Sequence, residues 1–260
     1  GAVTCSLLLL IVLPFVPITF LLFRGKQWPK IILSATVLGG SLQASIGMVW
    51  SHVPEVKPLA ELGVFASAWM ILLGYTIWRN ARRTALIWGP DETPFHAALI
   101  ITLIVGFIIR IIHPLDVAYL GQSDAYTHLN YIRNIAEFGL LFNPVYPSGY
   151  HWIMALPSLI FSIDPYQTAR FGGAFWGLSM VLGIYVLMEQ CVSRRAALFA
   201  SFCAAAFPGM NLLMKTGVGV FANQFGLMLL PAIFLFYILP RYLIVLTSSS
   251  SPFDLIGKWK

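Results

Sequence analysis

Long apolar runs, separated by short polar segments, dominate this chain. A helix needs roughly 20 apolar residues to cross about 30 Å of hydrocarbon. Runs that reach or approach this length predict seven membrane-spanning helices, at about 2–23, 31–50, 59–78, 95–112, 171–188, 196–208 and 225–245. An eighth apolar run, 150–163, has only about 14 residues and contains Pro157, so it suits an interfacial or re-entrant helix better than a full span.

The composition also indicates an integral membrane protein. Of the 260 residues 58% are hydrophobic and only 10% are charged, whereas soluble domains carry about 25% charged residues. The net charge of +6 does not indicate nucleic-acid binding, because the basic residues lie at the ends of apolar runs and form no compact patch. The cysteines Cys5, Cys191 and Cys203 have no C-x-x-C spacing, which indicates neither a disulfide framework nor a zinc site.

The basic residues also predict the orientation of the chain. They form clusters at 24–30, 79–83, 194–195 and 241–260. If all of these lie in the cytoplasm, as the positive-inside rule predicts, the span at 95–112 carries the chain outwards. We then expect the loop 113–170 to lie outside as one unit with two membrane-surface helices, and the segment 209–223 to face the same compartment.

The interval from His113 to Trp152 is the only long one that is not solidly apolar, and its centre predicts an amphipathic helix over 123–138. Ser123 or Asp124 can cap its start, and Gly139 follows its end. At 100° per residue the helix has an apolar stripe, a polar stripe and a third stripe between them. The apolar stripe comprises Ala125, Leu129, Ile132 and Ala136, and the polar stripe comprises Tyr126, Asn130, Arg133 and Glu137. The third stripe comprises Asp124, His128 and Tyr131. An acid, an imidazole and a phenol on one edge form a candidate site.

Each candidate residue also has an explanation without a functional role. An acid such as Asp124 is costly at the mouth of a membrane cavity unless it binds a cation, a proton or a polar substrate, yet Asp is also a favoured helix cap. His128 can bind a metal or a phosphate, or it can be an ordinary interfacial histidine. Arg110 can clamp a lipid phosphate, or it can extend to the membrane interface without a ligand.

An aromatic group and a few polar residues complete the candidates. Aromatic side chains here can stack on a sugar or belong to a membrane-interface belt; they include Tyr146, Tyr150, His151 and Trp152. Asp116 is a second acid near the same loop, and Lys215 and Asn223 can face the same cavity. The chain has no G-x-G-x-x-G, P-loop, G-x-S-x-G or H-E-x-x-H motif.

Three blocks of the sequence resemble the GT-C type integral membrane glycosyltransferases. The resemblance is to the polyprenyl-phosphate-sugar-dependent branch, which is related to protein O-mannosyltransferases, aminoarabinose transferases and the catalytic subunit of oligosaccharyltransferase. The blocks are S-D-A-Y-T-H-L-N-Y-I-R-N-I-A-E-F-G at 123–139, Y-P-S-G-Y-H-W-I-M-A-L-P at 146–157, and two apolar runs joined by a basic turn at 169–209. They comprise about 70 residues within 123–209, and their order is more specific than any single block.

The resemblance implies a fold and a division of the chain. It implies an all-α polytopic membrane protein with a GT-C-like core at 95–246. The helices at 1–94 lie outside the resemblance, and we expect the Ser-rich tail at 247–260 to be a fragment end. We also expect a prokaryotic plasma membrane with the loop 113–170 outside.

The resemblance further implies a site. Asp124 matches the loop acid that acts as catalytic base or metal ligand, and a divalent metal (Mg²⁺ or Mn²⁺) can be held by Asp124 with His128. Where the family often has a second acid, the nearest position here is Asn223, which puts metal dependence in question. The expected substrate-binding residues are Arg110, His128, Tyr131, Tyr150 and His151.

We therefore expect a glycosyltransferase that moves a sugar from a polyprenyl-phosphate donor to an acceptor on the non-cytoplasmic face. Its partners would be the lipid-linked sugar, membrane lipids and other membrane subunits, without nucleic acid. Two alternatives stay open. One is a non-catalytic membrane subunit of a larger complex built on a degenerate transferase fold, and the other is a transporter or lipid flippase. Against transport, we find no acid in mid-span and no internal repeat.

Overall fold

A computed structural model describes residues 1–22, 28–50, 71, 75, 93–116, 120, 123–139, 148–207, 229–231, 233 and 234. The regular structure of these residues is helical throughout. Apart from a few single positions, the predicted spans 59–78 and 225–245 lie outside the described residues. So do Tyr146, Lys215, Asn223 and the tail 247–260.

The described helices follow one another closely in the second half of the chain. In chain order they are α1 (Ala2–Leu7), α2 (Val16–Leu22), α3 (Trp28–Trp50), α4 (Thr93–Asp116), α5 (Ser123–Phe138), α6 (Gly149–Phe161), α7 (Pro165–Cys191) and α8 (Arg194–Ala206). A π-helical turn (Leu8–Val12) and a 3₁₀ turn (Leu13–Phe15) join α1 to α2.

Four helical segments of the described residues are long and apolar enough to cross a membrane. They are Ala2–Phe20, Trp28–Met48, Thr93–Asp116 and Pro165–Cys191. They correspond to the predicted spans 2–23, 31–50, 95–112 and 171–188. The protein is therefore an all-helical membrane protein in the described part, while the seven-span arrangement stays a prediction.

The predicted span at 196–208 corresponds to α8, which is too short to cross a membrane by itself. α8 has 13 residues, which at 1.5 Å per residue extend about 20 Å and cannot cross about 30 Å of hydrocarbon. The residue before a proline is disfavoured in the helical region, and Phe207, which precedes Pro208, is extended with φ −71° and ψ 108°. The apolar composition continues beyond Ala206, but the helix does not.

The first span is irregular because of its prolines. Pro14 and Pro17 lack the N–H groups that would continue the helical hydrogen bonds, and the π and 3₁₀ turns lie at and before them. α3 packs closely on this irregular part, since a Cβ at Gly39 would collide with the carbonyl oxygen of Ile11.

Several helix ends meet around one buried carboxylate. Glu189, near the end of α7, lies 3.3 Å from Lys30 Nζ near the start of α3 and 3.3 Å from Arg194 Nε at the start of α8. The ring of Phe95 at the start of α4 lies 6.0 Å from the guanidinium carbon of Arg194. We call this the basic end of the molecule, comprising Lys30, Glu189, Arg194 and the neighbouring Arg195. The structure thus brings two of the predicted basic clusters to the same end.

From the basic end, α4 runs to Asp116 and α7 returns from Pro165, so α5 and α6 join the far ends of two spans. The stripes predicted for α5 are confirmed. The buried side chains of α5 include Ala125, Leu129 and Ile132, with Ala136 half-buried, and the exposed ones include Tyr126, Asn130, Arg133 and Glu137. The buried stripe packs into the main core, which lies between the first span, α5, α6 and α7.

α6 differs from the predicted membrane-surface helix. It has 13 residues and is too short to cross the membrane alone, as predicted, but all residues from Gly149 to Pro157 are buried. A helix that is apolar on all sides has no face that favours water, so α6 inserts among α3, α5 and α7.

A tight turn reverses the chain between α6 and α7. Ser162 has φ 55°, and its N–H donates to the carbonyl of Ser158, as in the αL helix cap. The N–H of Ile163 donates to the carbonyl of Pro157. Asp164 then caps α7 by accepting a hydrogen bond from the N–H of Tyr166 at 2.8 Å. The turn places α6 against the first half of α7.

Candidate functional site

α5 and α6 bring together four of the predicted site residues. The buried stripe of α5 holds it on α6, and the adjacent stripe then turns His128 and Tyr131 towards the first turn of α6. We call the group formed by His128, Tyr131, Tyr150 and His151 the imidazole–tyrosine cluster. Both imidazoles are fully enclosed, with 1% and 0% of their surface exposed.

The two imidazoles form a direct hydrogen bond. Nδ1 of His128 lies 2.7 Å from Nε2 of His151, and the rings are nearly parallel, with 17° between their planes and 5.0 Å between their centroids. One nitrogen must donate its N–H while the other accepts through its lone pair. A single proton therefore lies between the two helices at this point.

Both tyrosines pack edge-on against His151. The ring centroid of Tyr131 lies 5.2 Å from that of His151 at 88°, and that of Tyr150 lies 5.4 Å away at 82°. Burial raises the pKa of the Tyr150 phenol far above its usual value near 10. Tyr150 consequently stays a neutral phenol, which can donate a hydrogen bond but does not act as a base.

Small residues hold α6 close to α3, and sequence analysis did not select them. Ser148 donates its hydroxyl hydrogen to the carbonyl of Gly47 at 3.1 Å. A Cβ at Gly47 would collide with the side chain of Trp152, and one at Gly149 would press on Ala44. Small residues at helix contacts are the general signal for such close packing. Trp152, for which sequence analysis leaves sugar stacking and a membrane-interface belt open, is buried in this contact.

The structure describes the predicted acidic residues Asp124 and Asp116 only in part. Asp124 lies in the first turn of α5, one turn before His128, and its side chain lies outside the described residues. Its roles as catalytic base and metal ligand stay predictions. Asp116 ends α4 and is exposed.

The described side chains do not by themselves form a metal site. Among them, no group of three or more His, Cys, Asp and Glu side chains could hold a metal ion. Two nitrogen ligands of a tetrahedral zinc, each at 2.0–2.1 Å, would be about 3.4 Å apart, whereas the facing nitrogens of His128 and His151 are 2.7 Å apart. A metal on His128 would have to use Nε2.

Arg110, the predicted phosphate clamp, is engaged with the backbone. Only 6% of it is exposed, and its guanidinium donates to the carbonyls of Gly106 at 3.0 Å and of Ala204 and Ala205 at 3.3 Å each. A Cβ at Gly177 would collide with Nε and Cδ of Arg110, so α7 leaves room for this side chain.

Two of the three carbonyls that Arg110 binds, those of Ala204 and Ala205, belong to the last turn of α8. Terminal carbonyls of a helix lack intrahelical partners, and α8 ends beside Gly106 in the middle of α4. Water is scarce at that depth, so the donor must come from the protein. The described partners of Arg110 lie on α4, α7 and α8, whereas the imidazole–tyrosine cluster lies on α5 and α6.

No protein-family model matches the chain, and no curated protein or solved structure matches it either. The resemblance seen in 123–139, 146–157 and 169–209 therefore stands on those residues alone. Chemically, the arrangement at α5 and α6 offers an enclosed, hydrogen-bonded imidazole pair and a protonated phenol, one turn from a carboxylate at the start of an amphipathic helix.

Proposed function

We propose that this chain is a membrane glycosyltransferase of the GT-C type. It moves a sugar from a polyprenyl-phosphate donor to an acceptor hydroxyl on the side of the membrane opposite the basic end. The observation that carries the proposal is the contact between α5 and α6. It joins His128 and Tyr131 of the first resembling block to Tyr150 and His151 of the second.

The position of α5 suits this chemistry. A polyprenyl-phosphate sugar keeps its lipid in the membrane while its acceptor arrives from water, so the reaction needs a site where both meet. α5 has one face in the protein core and one face exposed, and it lies between the far ends of two spans. A carboxylate in its first turn, Asp124, can accept the proton of the acceptor hydroxyl as the acceptor oxygen bonds to the sugar. The bond between the sugar and the phosphate oxygen breaks in the same step, and the polyprenyl phosphate leaves within the membrane.

The imidazole–tyrosine cluster acts in this proposal as a support for α5. The hydrogen bond between His128 and His151 fixes the rotation of α5 about its axis, and Asp124 is on the same stripe one turn earlier. Arg110 has no part in the proposed site, because its guanidinium is held by the end of α8. No step is assigned to a metal, since the described residues alone do not provide enough ligands; loss of transfer on chelation would show that a metal is needed.

Sugar transfer by the full chain tests the proposal. Membranes containing the wild type or Asp124→Asn are supplied with polyprenyl-phosphate monosaccharides labelled in the sugar, and label leaving the lipid fraction is measured. Asp164→Asn is the matched control, because Asn caps a helix as well as Asp does. We expect a loss of about 100-fold or more for Asp124→Asn and no change for Asp164→Asn. Equal transfer by the wild type and Asp124→Asn, at equal amounts of folded protein, would contradict the proposal.

A second candidate is a non-catalytic membrane subunit, and a specific observation favours it. Arg110 and the two imidazoles, which are the polar groups expected to meet substrate, are buried and bound to other parts of the protein. Under this alternative the wild type transfers no sugar from any lipid-linked donor, and the protein is recovered from its native membrane with a stable partner.

A further inference from the structure

Among the described residues, the basic end carries more positive charge than Glu189 neutralises. Glu189 is 5% exposed, and its two carboxylate oxygens are taken by Lys30 and Arg194. Arg195 is exposed, and among the described residues it has neither a hydrogen-bond nor an ion-pair partner. The four side chains together leave an excess of two positive charges.

The placement of two arginines is opposite to the usual pattern for a helix start. Arg194 and Arg195 are the first two residues of α8, where the helix dipole favours anions and disfavours cations. Ser193 caps α8 by accepting a hydrogen bond from the N–H of Ala196 at 3.2 Å, which adds no negative charge. Among the described residues, Glu189 already pairs with Lys30 and Arg194, so the exposed Arg195 can receive an anion from outside the chain.

The surface next to Arg195 is apolar and continuous with it. Phe199 and Phe202 follow Arg195 at i+4 and i+7, which places all three on one face of α8. The two phenylalanines are 72% and 50% exposed. The face therefore offers a cation at the membrane surface and two aromatic rings deeper along the same helix.

We propose that this face of α8 binds an anionic phospholipid. Arg195, together with the exposed part of Arg194, receives the headgroup phosphate, and Phe199 and Phe202 contact an acyl chain. Arginine binds phosphate in a bidentate manner, and basic sites beside membrane helices attract anionic headgroups. A free phosphate would use the arginine but not the apolar stripe below it, which favours the lipid. The inference needs only the membrane location and does not depend on sugar transfer.

Lipid retention by the full chain tests this proposal. The wild type is placed in nanodiscs of phosphatidylcholine with about one third phosphatidylglycerol, an approximate proportion chosen so that both lipids compete. The phosphatidylglycerol retained on extraction into detergent is then counted by native mass spectrometry. Arg195→Gln removes the exposed cation without breaking an ion pair. Arg133→Gln, on the exposed face of α5, removes an equal charge elsewhere. Phe199→Ala removes the first ring of the apolar stripe.

We expect Arg195→Gln to weaken retention of phosphatidylglycerol about five-fold, the effect of one cation near an anionic lipid. Phe199→Ala should weaken it as well, while Arg133→Gln retains the lipid as the wild type does. Equal losses for Arg195→Gln and Arg133→Gln would mean general charge attraction and would overturn the proposal. So would no preference for phosphatidylglycerol over phosphatidylcholine, or displacement of the lipid by millimolar inorganic phosphate.

Discussion

His128 and His151 face each other across the contact between α5 and α6, with Nδ1 and Nε2 2.7 Å apart. Neither imidazole reaches solvent, so the hydrogen bond is formed where no water can replace it. The pair links the amphipathic helix α5 to the buried helix α6, beside the apolar stripe that packs α5 into the core.

Removal of either histidine should destabilise the protein, and the two losses should not add. Loss of one partner leaves the other buried imidazole without this hydrogen bond, at a cost of about 1–3 kcal/mol. A double-mutant cycle of His128→Ala and His151→Ala should therefore show a coupling of about 1 kcal/mol or more in the free energy of unfolding. Thermal or denaturant unfolding in detergent measures it, with exposed Asn130→Ala as control. Strictly additive losses would mean that the contact contributes nothing.

The buried phenol of Tyr150 should make stability fall in alkali. Its pKa is raised in the folded state, so the unfolded chain releases this proton first, and stability is lost as the pH rises above the unfolded value near 10. The slope is about 1.4 kcal/mol per pH unit for one proton. Tyr150→Phe should remove that part of the slope between about pH 10 and 11, whereas Tyr126→Phe, at an exposed position, should keep it. Identical slopes for both variants would contradict the burial of an un-ionised Tyr150.

Two left-handed positions should respond to substitution in opposite directions. Ser162 has φ 55° at the end of α6, and Gly139 has φ 68° after α5. Because glycine adopts this region freely while other residues are strained there, Ser162→Gly should stabilise by about 0.5–1 kcal/mol, and Gly139→Ala should destabilise by about 1 kcal/mol. Unfolding midpoints measure both. A loss of stability in Ser162→Gly would contradict the cap described for α6.

Arg110 should be needed for stability and not for donor binding. Arg110→Met leaves the last carbonyls of α8 without their donor inside the membrane, which we expect to cost about 2–4 kcal/mol. Exposed Arg133→Met should change the free energy of unfolding by less than about 0.5 kcal/mol. If Arg110 instead clamps a lipid phosphate, Arg110→Met would keep the wild-type unfolding midpoint and weaken the binding of a polyprenyl phosphate.

The features that depend on residues close together in the sequence could be predicted from the sequence. The stripes of α5 follow from its local periodicity, so the burial of Leu129 and Ile132 and the exposure of Arg133 agree with the prediction. The four described spans follow in the same way from the length of their apolar runs. The shared edge of this helix also predicts that His128 and Tyr131 lie in one site.

Contacts between distant parts of the chain could not be predicted in this way. The partner of His128 depends on how α6 packs against α5, and the carbonyls bound by Arg110 are 94 and 95 residues away. Pro208 is a local signal for the end of α8 at Ala206. The apolar residues around Pro208, however, favour a longer helix in the sequence. The burial of α6 on all sides depends on α3, whose small residues Ala44 and Gly47 allow the two helices to pack closely.

Labelling with a photoreactive polyprenyl-phosphate analogue tests the central claim most directly, because it reports where the donor lies in the full chain. The analogue is crosslinked to wild-type protein in membranes, with and without excess polyprenyl-phosphate sugar, and the labelled peptides are mapped. We predict labelling within α5 that is lost on competition and is kept in Asp124→Asn, because Asp124 acts on the acceptor and not on the donor. Labelling confined to other helices, or unaffected by the competitor, would contradict a donor site at α5 beside Asp124.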